Sequence, residues 1–386
     1  MAKAKLTPIP AETSSMSMTP SLHMEPRLGF INRHPFIAAQ LLTLLFVVIF
    51  LAITFLAVAL FAYHRLTTFT TAAGTTPRQL YQTLTTGWNQ TPIHTNHHKN
   101  VLLLGVDTLQ TRGDVPPLTD TMMLVSVNLE TGQIRSLPLP RDIYSEDFQT
   151  KINALYAYGR DRYPTEPERF SKEVIEQLTG VPIHHTVLIS MDQVAQVIDM
   201  LGGIEVSVET AFIDPLFPRS DVDVTTERDP AKLYETVEFK AGPQTMNGAT
   251  ALKYIRSRHS MGDEGDDNAR ARRQQQVIKA ILAKATDPNL IKQPKKLGQL
   301  YQFYQTQFGR AVSIEEGLAT AKSLWPHKDA ITYTGNSLSV YPDDPQGVLI
   351  NPPLTARYQN QWIYQVRDSE QFKLEVAQKL GLNVHN

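Results

Sequence analysis

The sequence predicts an α/β body, a central mixed β-sheet flanked by helices, preceded by one transmembrane helix. Three observations carry that prediction. Short, continuous apolar runs bounded by turn residues mark buried strands, and amphipathic stretches of helical period alternate with them. Near the N-terminus, an uncharged run is too long and too uniformly apolar for a core helix.

That run lies between Arg33 and Arg65, where no residue carries a full charge, and Phe36 to Tyr63 is almost wholly apolar. At 1.5 Å per residue its roughly 28 residues span about 40 Å, more than the ~30 Å hydrocarbon core. A core helix would carry a polar stripe; here only Gln40, Thr43 and Thr54 interrupt the run. A cleaved signal peptide would have an apolar stretch of only ~7–15 residues close to the N-terminus. An uncleaved anchor is therefore expected over residues 34–64. Lys3, Lys5, Arg27 and Arg33 precede it and only Arg65 follows closely, which puts the N-terminus in the cytoplasm and the body outside. Residues 1–33, rich in Pro, Ser, Thr and Met, read as a disordered cytoplasmic tail. Residues 65–99 read as an extracytoplasmic stalk with a short helix near Pro77–Leu84, and His94, His97 and His98 as solvated linker histidines.

The body follows in order. Val101–Val106 (VLLLGV) is the mark of a strand buried on both faces, and Thr121–Asn128 is a second strand. Glu130-Thr131-Gly132 turns into a third, Gln133–Pro138. Helices are expected around Ile152–Tyr158 and Glu166–Leu178, then a strand at His185–Ser190. An amphipathic helix from Met191 to Leu201 ends on Gly202-Gly203, before the strand Ile204–Val208. Residues 209–240, with Pro215, Pro218 and Pro230, read as a long irregular insertion. Asn247–Arg256 and about Asn268–Thr286 are helical, and the main body runs over 100–330. The extension 331–386 holds strand-like runs and a final helix around Ser369–Leu380, expected to pack on the same domain.

Composition narrows the chemistry. The net charge of −1 leaves no excess of positive charge for nucleic acid. The absence of cysteine excludes a disulfide framework, a thiolate zinc site and a thiol nucleophile. What remains are two sets of polar residues at strand and helix ends. Asp107 directly follows VLLLGV, and Asp120 opens the next strand in LTDTMML. Strand ends are where ligand groups collect in open α/β sheets, and two carboxylates there suit a hard cation such as Mg²⁺. The plainer alternative is that both cap turns.

The second set is basic. Arg141 lies in the LPRD turn, Arg256 and Arg258 close a helix as YIRSRH, and Arg270 and Arg273 stand three apart in NARARRQQQ. Residues three apart share a helical face, so Arg270 and Arg273 are expected in one cleft with Arg272 pointing elsewhere. Arginine forks match phosphate oxygens bidentately, and several converging would bind a diphosphate. The competing reading is surface salt bridging, because Asp263, Glu264, Asp266 and Asp267 sit among these arginines.

Taken together, NVLLLGVD, TDTMML, LPRDIY, TKINALYAYG, LGGIEV, MNGATALKYIRSRH and DNARARRQQ follow one another over residues 100–285. In order and spacing they resemble the LytR-CpsA-Psr family. The resemblance implies an α/β, membrane-anchored phosphotransferase. Such an enzyme moves a glycopolymer from a polyprenyl-pyrophosphate carrier onto a cell-wall acceptor such as peptidoglycan, with Mg²⁺ at the diphosphate. It implies Asp107 and Asp120 as metal ligands. It implies Arg141, Lys151, Arg256, Arg258, Arg270, Arg273 and Gln274 around the diphosphate, with Asp267 as a supporting carboxylate. Asp107, Asp120, Arg141 and Arg258 are then the catalytic candidates. The chain departs from the pattern at Leu118, where members carry Arg, and at Ala269, where members carry Gly; Arg112 is the nearest substitute for the former.

Two other functions use the same residues. A polyprenyl-diphosphate hydrolase would pass the phosphate to water, and a non-catalytic polyprenyl-phosphate-binding envelope or regulatory protein would hold the lipid without turnover. No Ser-His-Asp pattern and no Walker-type glycine loop competes with them.

Overall fold

The computed structural model describes residues 35–106, 117–219, 222 and 227–382. The chain divides into two compact units, Met1–Tyr63 and His64–Asn386. In the first, the helix that begins at Pro35 exposes its large apolar side chains. From Ala39 the helix is long and apolar enough to cross a membrane. Two of its threonines bond back along the helix. The Thr43 hydroxyl donates to the Ala39 carbonyl at 2.9 Å and that of Thr54 to Phe50 at 2.8 Å. Such back-bonding removes the cost of an unpaired hydroxyl in an apolar medium.

The second unit is built on a five-stranded sheet. Its strands are β1 (His98–Val106), β2 (Thr119–Asn128), β3 (Gln133–Pro138), β6 (His185–Ser190) and β11 (Thr332–Gly335). Between them lie the short strands β4 (Tyr144–Ser145) and β5 (Thr150–Lys151). β1 pairs antiparallel with β2 and parallel with β6; β3 pairs antiparallel with β2 and parallel with β11. The sheet is mixed, as the sequence predicts. β11 comes from the C-terminal extension, which thus completes the central sheet. Leu102, Leu104, Met122, Leu124 and Leu137 share one face, which buries the helices Glu168–Thr179 and Ser369–Leu380 through Phe170, Ile175, Phe372 and Val376.

A second core stands apart from this one. The helices Met191–Leu201, Gly248–Arg256 and Asp267–Ala285 enclose it with two ribbons, β7 (Ile204–Val208) paired with β10 (Gly242–Met246), and β8 (Phe212–Pro218) paired with β9 (Tyr234–Phe239). The first of these helices starts with the Ser190–Gln193 capping box and stops at Gly202, whose φ of 84° suits glycine. The insertion read as irregular is largely this β8–β9 hairpin. Phe212, Phe217, Val237 and Phe239 point inward, and burying four such side chains stabilises the ribbon despite its prolines.

Residues 77–99, the larger part of the 65–99 segment read as a stalk, also pack on the body. Thr76 and Gln79 cap the helix Pro77–Asn89, which lies against the helix Ile314–Leu324. Glu316, only 3% exposed, accepts from Gln90 Nε2 and Ile93 N, each at 2.8 Å, and from the buried Lys99. A buried carboxylate with three donors is satisfied; with none it would be costly, and this fixes the segment in place. His98 is buried rather than solvated, with Nδ1 3.0 Å from Ser126 Oγ.

Candidate diphosphate site

The site lies between one end of the central sheet and the helices of the second core. A cavity of about 140 Å³ is lined by Asp120, Thr121 and Arg141 from the central sheet. Ile255, Arg256, Arg258 and His259 reach it from the end of one helix, Arg270 and Gln274 from another, with Met191 and Pro218 closing it. Six predicted residues, Asp120, Arg141, Arg256, Arg258, Arg270 and Gln274, are thus brought to one wall from segments up to about 150 positions apart.

The sheet side is held by a relay of charge. Arg141 Nη1 donates to Asp120 Oδ1 at 2.7 Å, while Arg141 Nε lies 3.5 Å from Asp142 Oδ2. Lys151 Nζ donates to Asp142 Oδ1 at 2.6 Å. Lys151 lines neither this cavity nor the larger one beside it; its contact with the site runs through Asp142, which also lies beside Arg141. Gln274 Nε2 donates to Thr121 Oγ1 at 3.0 Å, tying the arginine-bearing helix to β2. Gly105 makes room for that contact: a Cβ there would stand 2.9 Å from the Thr121 Cβ.

The helix side is held by the hairpin. Asp214, fully buried, accepts from Arg258 N at 2.9 Å and His259 N at 3.2 Å through one oxygen. Its other oxygen accepts from Leu216 N at 3.0 Å. The Phe217 ring lies 5.6 Å from the Arg256 guanidinium carbon, within cation–π range. Asp214 and Phe217 are the functional residues the sequence reading missed. The alternation in YETVEF, a strand pattern opposite FIDPLF, was the signal that a hairpin holds them.

Arg273 does not join the cleft. It is 2% exposed and its guanidinium donates to Tyr254 O at 2.9 Å, Ser257 O at 2.6 Å and Glu264 Oε2 at 2.8 Å, over the Phe212 ring at 4.7 Å. Burial lowers its pKa, while Glu264 opposes that shift. Burial also pushes the neighbouring Tyr254 phenol up to about 12. Arg272, expected to point away, instead lines the larger cavity and pairs with Glu264 at 3.1 Å. The surface salt-bridge reading thus fits Arg272, whereas the Arg273–Glu264 pair is buried, and Asp266 caps the helix by accepting from Ala269 N at 2.6 Å. Asp107 and Arg112 lie outside the described residues, as does the side chain of Asp267.

Among the described residues no group of three or more metal-ligating side chains comes together. Mg²⁺ does not need one: it is held by one or two carboxylates, with water and substrate phosphates completing the shell. Asp120 supplies one hard carboxylate on the cavity wall, at the start of β2 where Thr119 pairs with Val106 of β1. That donor set fits the ion when a phosphate accompanies it.

The LytR_cpsA_psr family model matches residues 63–346. The polyisoprenyl-teichoic acid–peptidoglycan teichoic acid transferase TagU of Bacillus licheniformis is 28% identical over 234 residues, 58% of this chain and 65% of the relative. TagV of Bacillus subtilis, given the same activity, is 26% identical over 260 residues, 64% of this chain and 59% of the relative. The chain thus spans less than two thirds of either relative's length. The crystal structure of B. subtilis TagV is similar over 75% of this chain and 100% of its own, at 21% identity and a TM-score of 0.49.

Proposed function

The chain belongs to the LytR_cpsA_psr family, and on that premise we propose that it is a membrane-anchored phosphotransferase. It takes a glycopolymer from a polyprenyl-pyrophosphate carrier and attaches it to a cell-wall acceptor such as peptidoglycan. The observation that carries this reading is the convergence of Arg141, Arg256, Arg258 and Arg270 with Asp120 on one small cavity. Four guanidiniums against one carboxylate, on a wall fixed by Asp214, Thr121 and Asp142, make a preorganised site for a compact dianion such as a diphosphate.

The reaction needs little from the protein beyond position and charge. An acceptor hydroxyl oxygen bonds to the phosphorus nearer the sugar, and the bond from that phosphorus to the bridging oxygen breaks. Polyprenyl phosphate departs with the bonding electrons and the hydroxyl proton. Arg256, Arg258 and Arg270 hold the non-bridging oxygens and offset the charge that grows on the leaving phosphate. Arg141 is aimed by Asp120 and Asp142. Mg²⁺, held by Asp120 and Asp107, would supply further charge neutralisation. The apolar helix supports a location at the membrane, where the carrier's tail keeps its head within reach, and the basic residues before it, Lys3 to Arg33, favour a cytoplasmic N-terminus with the body outside.

The test is reconstitution of the full chain in vesicles with a polyprenyl-diphosphate-linked glycan and peptidoglycan. Covalent transfer should occur, stop with EDTA and return with Mg²⁺. Asp120→Asn, which keeps size but deletes a charge, should lower the rate ~100-fold or more. Chelator-resistant transfer, or a near-normal rate in a folded Asp120→Asn chain, removes the metal. Product released only to water makes the protein a hydrolase.

A further inference from the structure

A second cavity, of about 550 Å³, opens beside the first and shares Asp120, Thr121, Arg141, Arg270 and Gln274 with it. Its chemistry differs. In the small cavity four arginines face one aspartate. Among the described residues of the large one, the carboxylates are Asp120, Asp142, Asp343 and Asp344. Arg141, Arg270, Arg272 and Lys379 match them one for one. Amide and hydroxyl groups, among them those of Gln275, Ser337 and Tyr364, fill the spaces between. A balanced wall of this kind has no net field to attract a polyanion, but it offers donors and acceptors in close alternation to a neutral, hydroxyl-rich molecule. The volume falls within the roughly 300–1,000 Å³ of small-ligand sites.

The wall that makes this cavity different comes from the C-terminal extension, and it is firmly held. Asn336 N donates to Ser136 O at 2.9 Å and Asn336 Nδ2 to Lys379 O at 3.0 Å, while Gln275 Nε2 donates to Asn336 O at 3.1 Å. Ser339 donates to both oxygens of Glu375, from N at 2.8 Å and from Oγ at 2.5 Å. Residues 336–344 are therefore fixed to the sheet, to the arginine-bearing helix and to the last helix, yet none of them lines the small cavity.

The geometry points to the large cavity as the acceptor subsite. It takes an uncharged saccharide segment and presents a hydroxyl to the phosphorus held next door, and residues 336–344 select which glycan enters. This inference rests on the transferase reading, and two measurements separate their fates. The first is binding of a neutral N-acetylglucosamine tetrasaccharide to the full chain in detergent, by saturation-transfer NMR and calorimetry. The second is steady-state transfer with peptidoglycan fragments as acceptor. Ser337, exposed on the rim, is changed to Trp to obstruct the cavity, and Asp343→Asn removes a charge without changing size. Either change should raise the acceptor KM and the saccharide Kd about tenfold, while the Kd of a polyprenyl-diphosphate analogue moves less than ~2-fold. Wild-type chain that binds no saccharide, or variants that bind it as well as wild type, overturns the subsite. Should wild type bind the saccharide here yet release glycan only to water, the cavity stands as a saccharide-binding site, and its acceptor role falls with the transferase reading. If Ser337→Trp melts early, Asp343→Asn alone decides.

Discussion

Asp214 offers the sharpest test of how the arginine wall is held, because its role is visible only in the fold. Its carboxylate is fully buried and accepts three backbone N–H groups, two of them from the residues that carry Arg258 and His259 into the cavity. Asp214→Ala removes both oxygens and leaves all three donors without an acceptor. Leaving a buried donor unsatisfied costs ~1–3 kcal/mol, so the Arg258 and His259 amides alone account for ~2–6 kcal/mol. That is a large fraction of the ~5–15 kcal/mol that holds a domain together. Asp214→Asn is gentler and more informative. Its single carbonyl oxygen can face either the Arg258 and His259 pair or Leu216, so at least one donor is orphaned, for ~1–3 kcal/mol. Because the loss falls beside Arg258, diphosphate binding should weaken together with stability. Urea unfolding gives the first quantity, and calorimetric titration with a polyprenyl-diphosphate analogue gives the second. An Asp214→Asn chain as stable as wild type, with unchanged affinity, would show that the hairpin does not position the wall. Loss of stability with unchanged affinity would show that Arg258 finds its place without it.

The two neighbouring arginines should part company. Arg273→Met leaves the Glu264 carboxylate and three carbonyls without their buried partner and should cost ~3–5 kcal/mol of stability; Arg272→Ala, at an exposed pair, should leave the melting temperature within a degree or two of wild type. Equal melting for the two would contradict the burial of Arg273. Burial depresses the pKa values of His98, His184 and His185, and His184 Nδ1 accepts from Asn100 N at 2.8 Å, a role only the neutral ring can fill. A depressed folded value means that stability is complete above the ordinary 6.5 and is lost as pH falls below it. Melting temperature should therefore drop from pH 7.5 to pH 5, less steeply in His184→Gln, and a flat profile would refute the assignment. For topology, a reporter fused after Asn386 should be active only when exported, and protease added to spheroplasts should digest the body.

What could be read from the sequence, and what could not, divides along physical lines. VLLLGV, TMMLVSVN and the Met191–Leu201 helix with its Gly202-Gly203 stop declare themselves through period, cap and turn, which are local properties. The convergence of Arg141, Arg256, Arg258 and Arg270 was legible only through the order of the motifs, because nothing local states which strand lies beside which helix. The β8–β9 hairpin was missed because Pro215 and Pro218 interrupt one strand and masked the alternation in the other. Arg273 shows where a periodicity argument breaks. Residues three apart on an α-helix differ by about 60° around its axis, enough to share a face on an isolated helix. The helix Asp267–Ala285 runs along the seam between the second core and the cleft, so 60° is the difference between the two sides. Arg270 falls on the cleft side, and Arg273 turns into the core among Phe212, Tyr254 and Glu264. Helical spacing shows which residues are neighbours, but the packing around the helix decides whether a pair straddles a boundary. A phosphate clamp built at such a seam gains rigidity from the core behind it, and the arginine on the inner side serves by fixing that core.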